Sequence, residues 1–375
     1  MTVLDQARNA FRRYMYMEDD TILDVVMAVA ASNRLPGDPV WMHIVGPSGG
    51  GKTEVLRALR GHPDVYTISS FTENTLVSGL KGGKDPSLLP DLNGKVVVIK
   101  DFTALLSLPN NAFRKISGDL RDAHDGYYEK AFGTGDVRRY ESRFTLLTGV
   151  TPAIEKMRTA TQTLGERFLM YRVPGTDRLK AAEASRKAVE TKELMRKELQ
   201  GAVHAVLDAA KTAMYPDVSP KLGSVLDKLA NLLAIGRSHV DRDGYRQERV
   251  LYMPEPEEPG RVVGQLTKFL MSLAAVREVS DIREEELYLV RRVVKDSLPS
   301  MRRRLLVTLL RNRAQFVSTK DLGNSLQWAT DTARIHLADL MMLGMVERRE
   351  QGQQFEWLMA EDFVNLIMDC GFHVP

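Results

Sequence analysis

A single cysteine, Cys370, occurs in the whole 375-residue chain. That excludes a disulfide framework and a cysteine-based zinc site, and it fits a reducing, cytoplasmic setting. Long apolar runs are missing as well. None approaches the roughly 18 residues of a membrane span, so no membrane association is expected. The first residues have acidic groups nearby and no apolar stretch, which argues against a secretory signal. Excess charge of one sign is also scarce: 52 Lys and Arg face 49 Asp and Glu, for a net +3. No global field therefore draws a polyanion, and any basic surface has to be local. Internal repeats and long low-complexity segments are absent from the sequence. What remains is 43 % apolar and 27 % charged, ordinary for a soluble globular protein of two or three domains.

The most specific motif is "HIVGPSGGGKTEVL", residues 43 to 56. Gly46, Pro47, Ser48, Gly49, Gly50, Gly51, Lys52 and Thr53 fit G-x-x-x-x-G-K-[ST]. Turning backbone N–H groups inward around α- and β-phosphates needs glycines free of Cβ clashes. A helix starting near Lys52 points its positive end at the same anion. Lys52 is expected to reach the β- and γ-phosphates, and Thr53 to place its hydroxyl on Mg²⁺. An apolar run at 40–45 precedes the motif as a buried strand, and 54–60 follows as a helix. The cofactors implied are ATP and Mg²⁺.

Further strands are expected at 65–69, 95–99, 144–147 and 168–173, alternating with helices in the βαβ rhythm of a parallel sheet. Two short helices fill residues 1–35. Residues 178–213 and 221–233 read as helices, followed by an acidic, proline-rich turn at 254–259 and helices at 261–276 and 284–297. Helices at 301–312, 319–326 and 330–343 precede two short strands, 345–349 and 354–358, in the order of a winged helix. The expected fold is α/β: a P-loop core with a parallel sheet at 1–175, a helical lid region at 176–298 and a winged-helix domain at 299–375.

Three strand ends carry the remaining candidates. Asp101 follows the apolar strand at 95–99, where P-loop enzymes hold Mg²⁺ and polarise the attacking water. The usual pair there is Asp-Glu; here it is Lys100-Asp101, or Asp101-Phe102 with the register slipped by one. Asp101 is thus a metal-site ligand, the water-activating acid, or a plain strand-end cap, and the departure bears on hydrolysis rate more than on binding. Thr151 precedes Pro152, where the backbone has to leave its strand. It is the candidate for contact with the γ-phosphate or the attacking water, the role called sensor 1; Thr148 is the runner-up. Glu166 and Arg167 flank the strand at 168–173. Arg167 is the candidate arginine finger for a neighbouring subunit's γ-phosphate, with Arg172 as the spare. The alternative is a Glu166–Arg167 surface pair.

Assembled in this order, these residues resemble an AAA+ ATPase of the branch with a β-hairpin before sensor 1. That branch includes the minichromosome-maintenance helicases and the bacterial Holliday-junction branch-migration motor. The resemblance spans roughly residues 35–360. Arg167-Phe168 sits where those families have an arginine before a phenylalanine, and Thr151-Pro152 where the helicases have Asn-Pro. The start of the helix at Arg261 looks like the Pro-Arg start that carries sensor 2, which implies that Arg261 contacts nucleotide. Residues 132–135 and 164–169 also look like ATPases encoded by phages and integrated elements. The resemblance implies a homo-oligomer, a hexameric ring, acting on DNA.

It also gives meaning to "YYEKAFGTGDVRRY", two short aromatic and basic strands around a glycine turn. In the family this hairpin points into the central pore. Lys130, Arg138 and Arg139 are the candidates for phosphate contacts, and Tyr127 or Tyr128 for stacking on a base. The alternative is a hairpin that packs on the next subunit. In the winged helix, Arg302, Arg303, Arg304, Arg311 and Arg313 flank the first helix, and Arg348 and Arg349 sit at the wing. The recognition helix offers only Asp331, Arg334 and His336 on its exposed side, so phosphate contacts are expected rather than base readout; protein binding is the other possibility. Two functions follow: a DNA helicase or translocase, or a non-motor switch such as a helicase loader, replication initiator or transposition regulator.

Overall fold

A computed structural model describes residues 1–70, 72–78, 85–132, 135–157, 167–243 and 250–372. The chain divides into two compact units, Met1–Val218 with Thr267–Val293, and Ser219–Leu266 with Val294–Pro375.

The first unit is α/β. Helices α1 (Val3–Tyr14) and α2 (Thr21–Ser32) precede β1 (Trp41–Val45) and α3 (Lys52–Ala58). Then come β2 (Val65–Ile68), α4 (Leu89–Leu92), β3 (Val96–Ile99), α5 (Asn110–His124), the hairpin strands β4 (Tyr127–Ala131) and β5 (Val137–Glu141), β6 (Thr145–Val150) and β7 (Phe168–Arg172). Five of these strands form a parallel sheet in the order β2-β3-β6-β1-β7. β1, β3 and β6 are buried along their whole length, which is why they read as apolar runs rather than alternating patterns. Trp41 anchors the core: its ring stacks on Phe144 at 5.5 Å, and its Nε1 donates to the Phe144 carbonyl at 2.9 Å.

The start of α1 follows its cap. Thr2 and Asp5 form a reciprocal capping box on α1, each bond 3.1 Å. α2 is apolar all round and buried throughout the unit. Its one carboxylate, Asp24, is fully buried and accepts from Arg8 Nη2 and Arg277 Nε, each at 2.6 Å.

β6 runs three residues beyond the expected end at 147. Gly149 allows this: a Cβ there would lie 2.3 Å from the Lys100 carbonyl oxygen. Only glycine lets β6 stay this close to the end of β3.

The second unit holds the helices Pro220–Arg237, Ser300–Arg311, Thr319–Leu326, Thr330–Met342 and Glu361–Asp369. It also holds a three-stranded antiparallel sheet, β8 (Val317–Ser318), β10 (Gln354–Met359) and β9 (Val346–Gln351), in that spatial order. Gly352 makes the β9–β10 turn at φ +63°. Trp357 is buried beneath the sheet and donates to Thr319 Oγ1 at 2.7 Å. β8 and the final helix were not expected from the sequence. Among the described residues no helix is long and apolar enough to cross a membrane.

Candidate nucleotide site

The loop after β1 is shaped for an anion. Gly46 N–H donates to the Val150 carbonyl at 3.1 Å, and Gly50 N–H to the Pro47 carbonyl at 3.2 Å. Gly49 and Gly51 adopt φ of +77° and +79°. Those left-handed positions require glycine and turn the amides toward one side. Lys52 is buried, and its Nζ donates to the Pro47 carbonyl at 2.8 Å. Burial pushes its pKa down, and the nearby charge of Asp101 opposes that fall. A buried ammonium whose one bond among the described residues is to a backbone carbonyl suits an incoming polyanion. Thr53 is the next residue of α3.

Residues 47–51 open into a cavity of about 430 Å³, within the range of small-ligand sites. Its other walls are the α1–α2 connection, including Met15 and Tyr16, and residues that follow β7, including Val173 and Thr176. No motif marks this wall, because it comes from chain segments far from the phosphate loop.

Asp101 and Thr151 leave the carboxyl ends of β3 and β6, the same side of the sheet as the loop after β1. Ligands of open parallel sheets sit outside those strand ends. Asp101 Oδ1 accepts from Thr103 N–H at 3.1 Å, so it caps the 3₁₀ turn Phe102–Ser107. Thr151 N–H donates to Thr103 Oγ1 at 3.0 Å. Thr148, the runner-up, does not reach the edge. It is fully buried within β6, and its hydroxyl bonds to His43 of β1. The ring of His43 is in turn stacked on Phe168 at 3.9 Å.

Arg167 lies at the other edge of the sheet. It precedes Phe168, which pairs with Trp41 at the start of β1. Its guanidinium is buried and holds Asp125, with Nη2 2.8 and 3.0 Å from the two carboxylate oxygens. Burial pushes the Asp125 carboxyl up, but the Arg167 bonds hold it below the usual carboxylate value. Arg167 itself is buried, and the alternative pairing with Glu166 falls on a residue outside the described ones. Arg172 sits on the nucleotide-loop side, paired in register with Val45 and ion-paired with Glu155. Arg261 belongs to the second unit. There its Nη2 donates to Glu257 Oε2 at 2.6 Å, and Glu257 also accepts from the buried Arg237 at 2.7 Å.

The expected hairpin forms, with Lys130 opposite Arg138 and Glu129 opposite Arg139. Each of its three cations has a carboxylate. Lys130 bonds Asp119 of α5 at 3.0 Å, Arg139 bonds Glu129 at 3.0 Å, and Arg138 pairs with Asp85. Tyr140 donates to Asp85 as well, and to Ser87 Oγ at 3.0 Å. Burial raises the Asp85 carboxyl, but Tyr140, Ser87 and Arg138 together bring it down to about 2. Tyr128 is buried and donates to Asp119 at 2.7 Å; burial and that carboxylate push its phenol up. Of the two tyrosines expected as stacking candidates, Tyr127 is half exposed and Tyr128 is buried. Gly133 and Thr134 lie outside the described residues.

In the second unit most of the expected basic cluster is engaged. Arg302 is buried and donates to the Gly236 and Ser238 carbonyls. Arg303 pairs with Asp296 at 2.8 Å, and Arg304 donates to the Leu326 carbonyl at 3.1 Å while lying over Trp328. Arg348 lies over Phe355 at 4.5 Å; Arg349 lies over Phe316 at 3.9 Å and bonds Glu356 at 2.8 Å. Glu347 and Glu350 share β9 with these two arginines, so the strand itself carries no net positive charge.

No protein-family model matches the chain, and no curated protein matches it.

Proposed function

We propose that the protein is a cytoplasmic, ATP-dependent DNA-processing ATPase of the AAA+ type, working as a homo-oligomeric ring. In this proposal residues 176–298 act as the lid and residues 299–375 as the winged helix. The observation that carries it is the loop 46–53, with Lys52 buried against the Pro47 carbonyl beside a cavity of about 430 Å³. The loop amides cradle the α- and β-phosphates, and the Lys52 ammonium reaches the β- and γ-phosphates. Thr53 and Asp101 are the groups that fit Mg²⁺, which supplies charge neutralisation between the phosphates. Asp101 orients the attacking water or supports the metal, and Thr151 addresses the γ-phosphate. Arg167 supplies positive charge to the neighbouring subunit's site. DNA engages the hairpin at Lys130, Arg138 and Arg139 and the wing at Arg348 and Arg349.

The motor is a helicase or translocase. A non-motor switch is the second reading, favoured by the carboxylate partner that each hairpin cation already has and by Lys100-Asp101 in place of Asp-Glu. The deciding experiment measures MgATP binding, ATP hydrolysis with and without DNA, and strand displacement, for the wild type and Lys52→Ala. Hydrolysis that DNA raises many-fold, with strand separation, supports the motor. Slow, DNA-indifferent turnover supports the switch. Unaltered hydrolysis in Lys52→Ala removes the basis of both.

A further inference from the structure

We propose, resting on the hydrolysis reading above, that Thr103 is a positioning residue that joins Asp101 to Thr151 and turns the Thr151 hydroxyl into a donor. Thr103 N–H is bonded to Asp101 Oδ1 at 3.1 Å, which fixes the rotation of that carboxylate. Among the described residues Oδ2 has no hydrogen-bond partner, so it is the oxygen left for metal or water. On the other side, Thr103 Oγ1 accepts the Thr151 N–H at 3.0 Å. A hydroxyl has one proton to give. With its oxygen already accepting an amide hydrogen, Thr103 gives that proton to Thr151 Oγ1, 3.5 Å away. The contact is long, and such bonds tighten once a ligand is seated. Thr151 Oγ1 is then the acceptor, and its own proton turns outward.

The consequence is chemical. An outward donor matches an anionic γ-phosphate oxygen and cannot take a proton from the attacking water. The acceptor for water is therefore Asp101 Oδ2, and the two tasks fall to different residues. The turn that carries Thr103 is well fixed. Phe102 is buried, 5.3 Å from the His43 ring and 5.9 Å from Phe168. The close approach of Gly149 to the Lys100 carbonyl binds the same turn to β6.

Thr103→Val keeps the shape and removes the hydroxyl; Thr103→Ser keeps the hydroxyl. ATP hydrolysis and binding of a fluorescent ATP analogue with Mg²⁺ are measured for both, for Thr151→Val and for Thr103→Val/Thr151→Val. Thr103→Val is expected to lower kcat by about 10- to 100-fold with nucleotide Kd changed by no more than about threefold, and Thr103→Ser to retain kcat within about threefold. The double variant should be no slower than Thr151→Val, because the two hydroxyls act as one unit. Unchanged kcat in Thr103→Val, or losses that multiply in the double variant, overturns the role of Thr103 and leaves the ATPase reading standing. Absence of both nucleotide binding and hydrolysis in the wild type overturns both. Thr103→Ala repeats the test where the valine does not fold. If neither folds while Thr103→Ser does, Thr103 is structural and the proposal is wrong.

Discussion

Arg167 donates to both carboxylate oxygens of Asp125, at 2.8 and 3.0 Å from a single nitrogen. Asp125 follows α5, and the next residue, Gly126 at φ +83°, turns the chain into the hairpin. The pair therefore ties the base of the hairpin to the start of β7. An arginine held this way is fixed before any neighbour arrives, and its partner lies two residues before the hairpin proposed to meet DNA.

Arg167→Ala is expected to leave ATP binding nearly intact and to cut turnover by about 10³-fold, by the behaviour of arginine fingers. Mixing it with Lys52→Ala should restore activity, because the finger serves the next subunit. No rescue at any mixing ratio rejects the trans role and leaves the pair as a structural clasp.

The same pair sets a pH dependence. The Asp125 carboxyl is lowered in the folded protein: burial opposes the fall, and Arg167 outweighs it. A lowered carboxyl contributes stability that is fully present above its unfolded value, about 3.9, and is lost as pH falls through the folded value. Wild type and Asp125→Asn should therefore differ in thermal midpoint at pH 6, and the difference should shrink as pH falls below the ordinary carboxylate value and through the lowered folded one. A difference that persists unchanged at low pH means that packing, not charge, holds the clasp.

Asp24 offers a test of stability in the first unit. It is fully buried and shared by Arg8 and Arg277, and Arg277 also bonds the buried Glu286 at 2.7 Å. Asp24→Ala leaves two largely buried cations without their common partner, at a cost of about 3–5 kcal/mol. Urea unfolding followed by a probe in the first unit reads this as a lower midpoint. A loss below about 1 kcal/mol shows that Glu286 and water compensate.

Local features of this chain were legible in the sequence, and non-local partnerships were not. The apolar runs of β1 and β3 give the buried sheet, the helices expected at 261–276 and 319–326 are found at Gly260–Val276 and Thr319–Leu326, and the expected hairpin forms. Which threonine lies at the strand tip was open because strand length was open. Gly149 settles it by keeping β6 in the sheet to Val150, which buries Thr148 and brings Thr151 to the tip. The partners of the cations come from afar: Lys130 and Asp119 are 11 residues apart, Arg167 and Asp125 42, Arg138 and Asp85 53. No periodicity encodes such pairs. A basic cluster in one dimension, such as Arg302 to Arg304, became three separately engaged side chains in three.

The hairpin's carboxylates also bear on where DNA affinity comes from. A phosphate that reaches Arg138 has to displace Asp85, which Tyr140 and Ser87 help hold near a pKa of about 2, so it is charged at every working pH. Binding there exchanges one anion for another, and the net gain is small. Removing the competitor changes that balance. Asp85→Asn should raise DNA affinity and steepen the salt dependence by about one unit of log–log slope, the mark of one added phosphate contact. Arg138→Ala with Arg139→Ala should leave much of the binding and uncouple ATP hydrolysis from DNA. At the wing, Arg348 lies over Phe355 and Arg349 bonds Glu356, both on the exposed β9 strand. Arg348→Ala with Arg349→Ala should weaken binding and flatten the slope by up to about two units. Anisotropy titrations with labelled DNA from 50 to 200 mM salt, about a thousandfold span in affinity for a six-contact site, resolve these slopes. DNA-stimulated ATPase is measured beside them. Should the hairpin double variant keep full stimulation and strand separation, the hairpin is structural, and the switch reading replaces the motor. Should Asp85→Asn leave affinity and slope unchanged, Arg138 does not meet phosphate, and the Asp85 contact serves only to hold β5 in place.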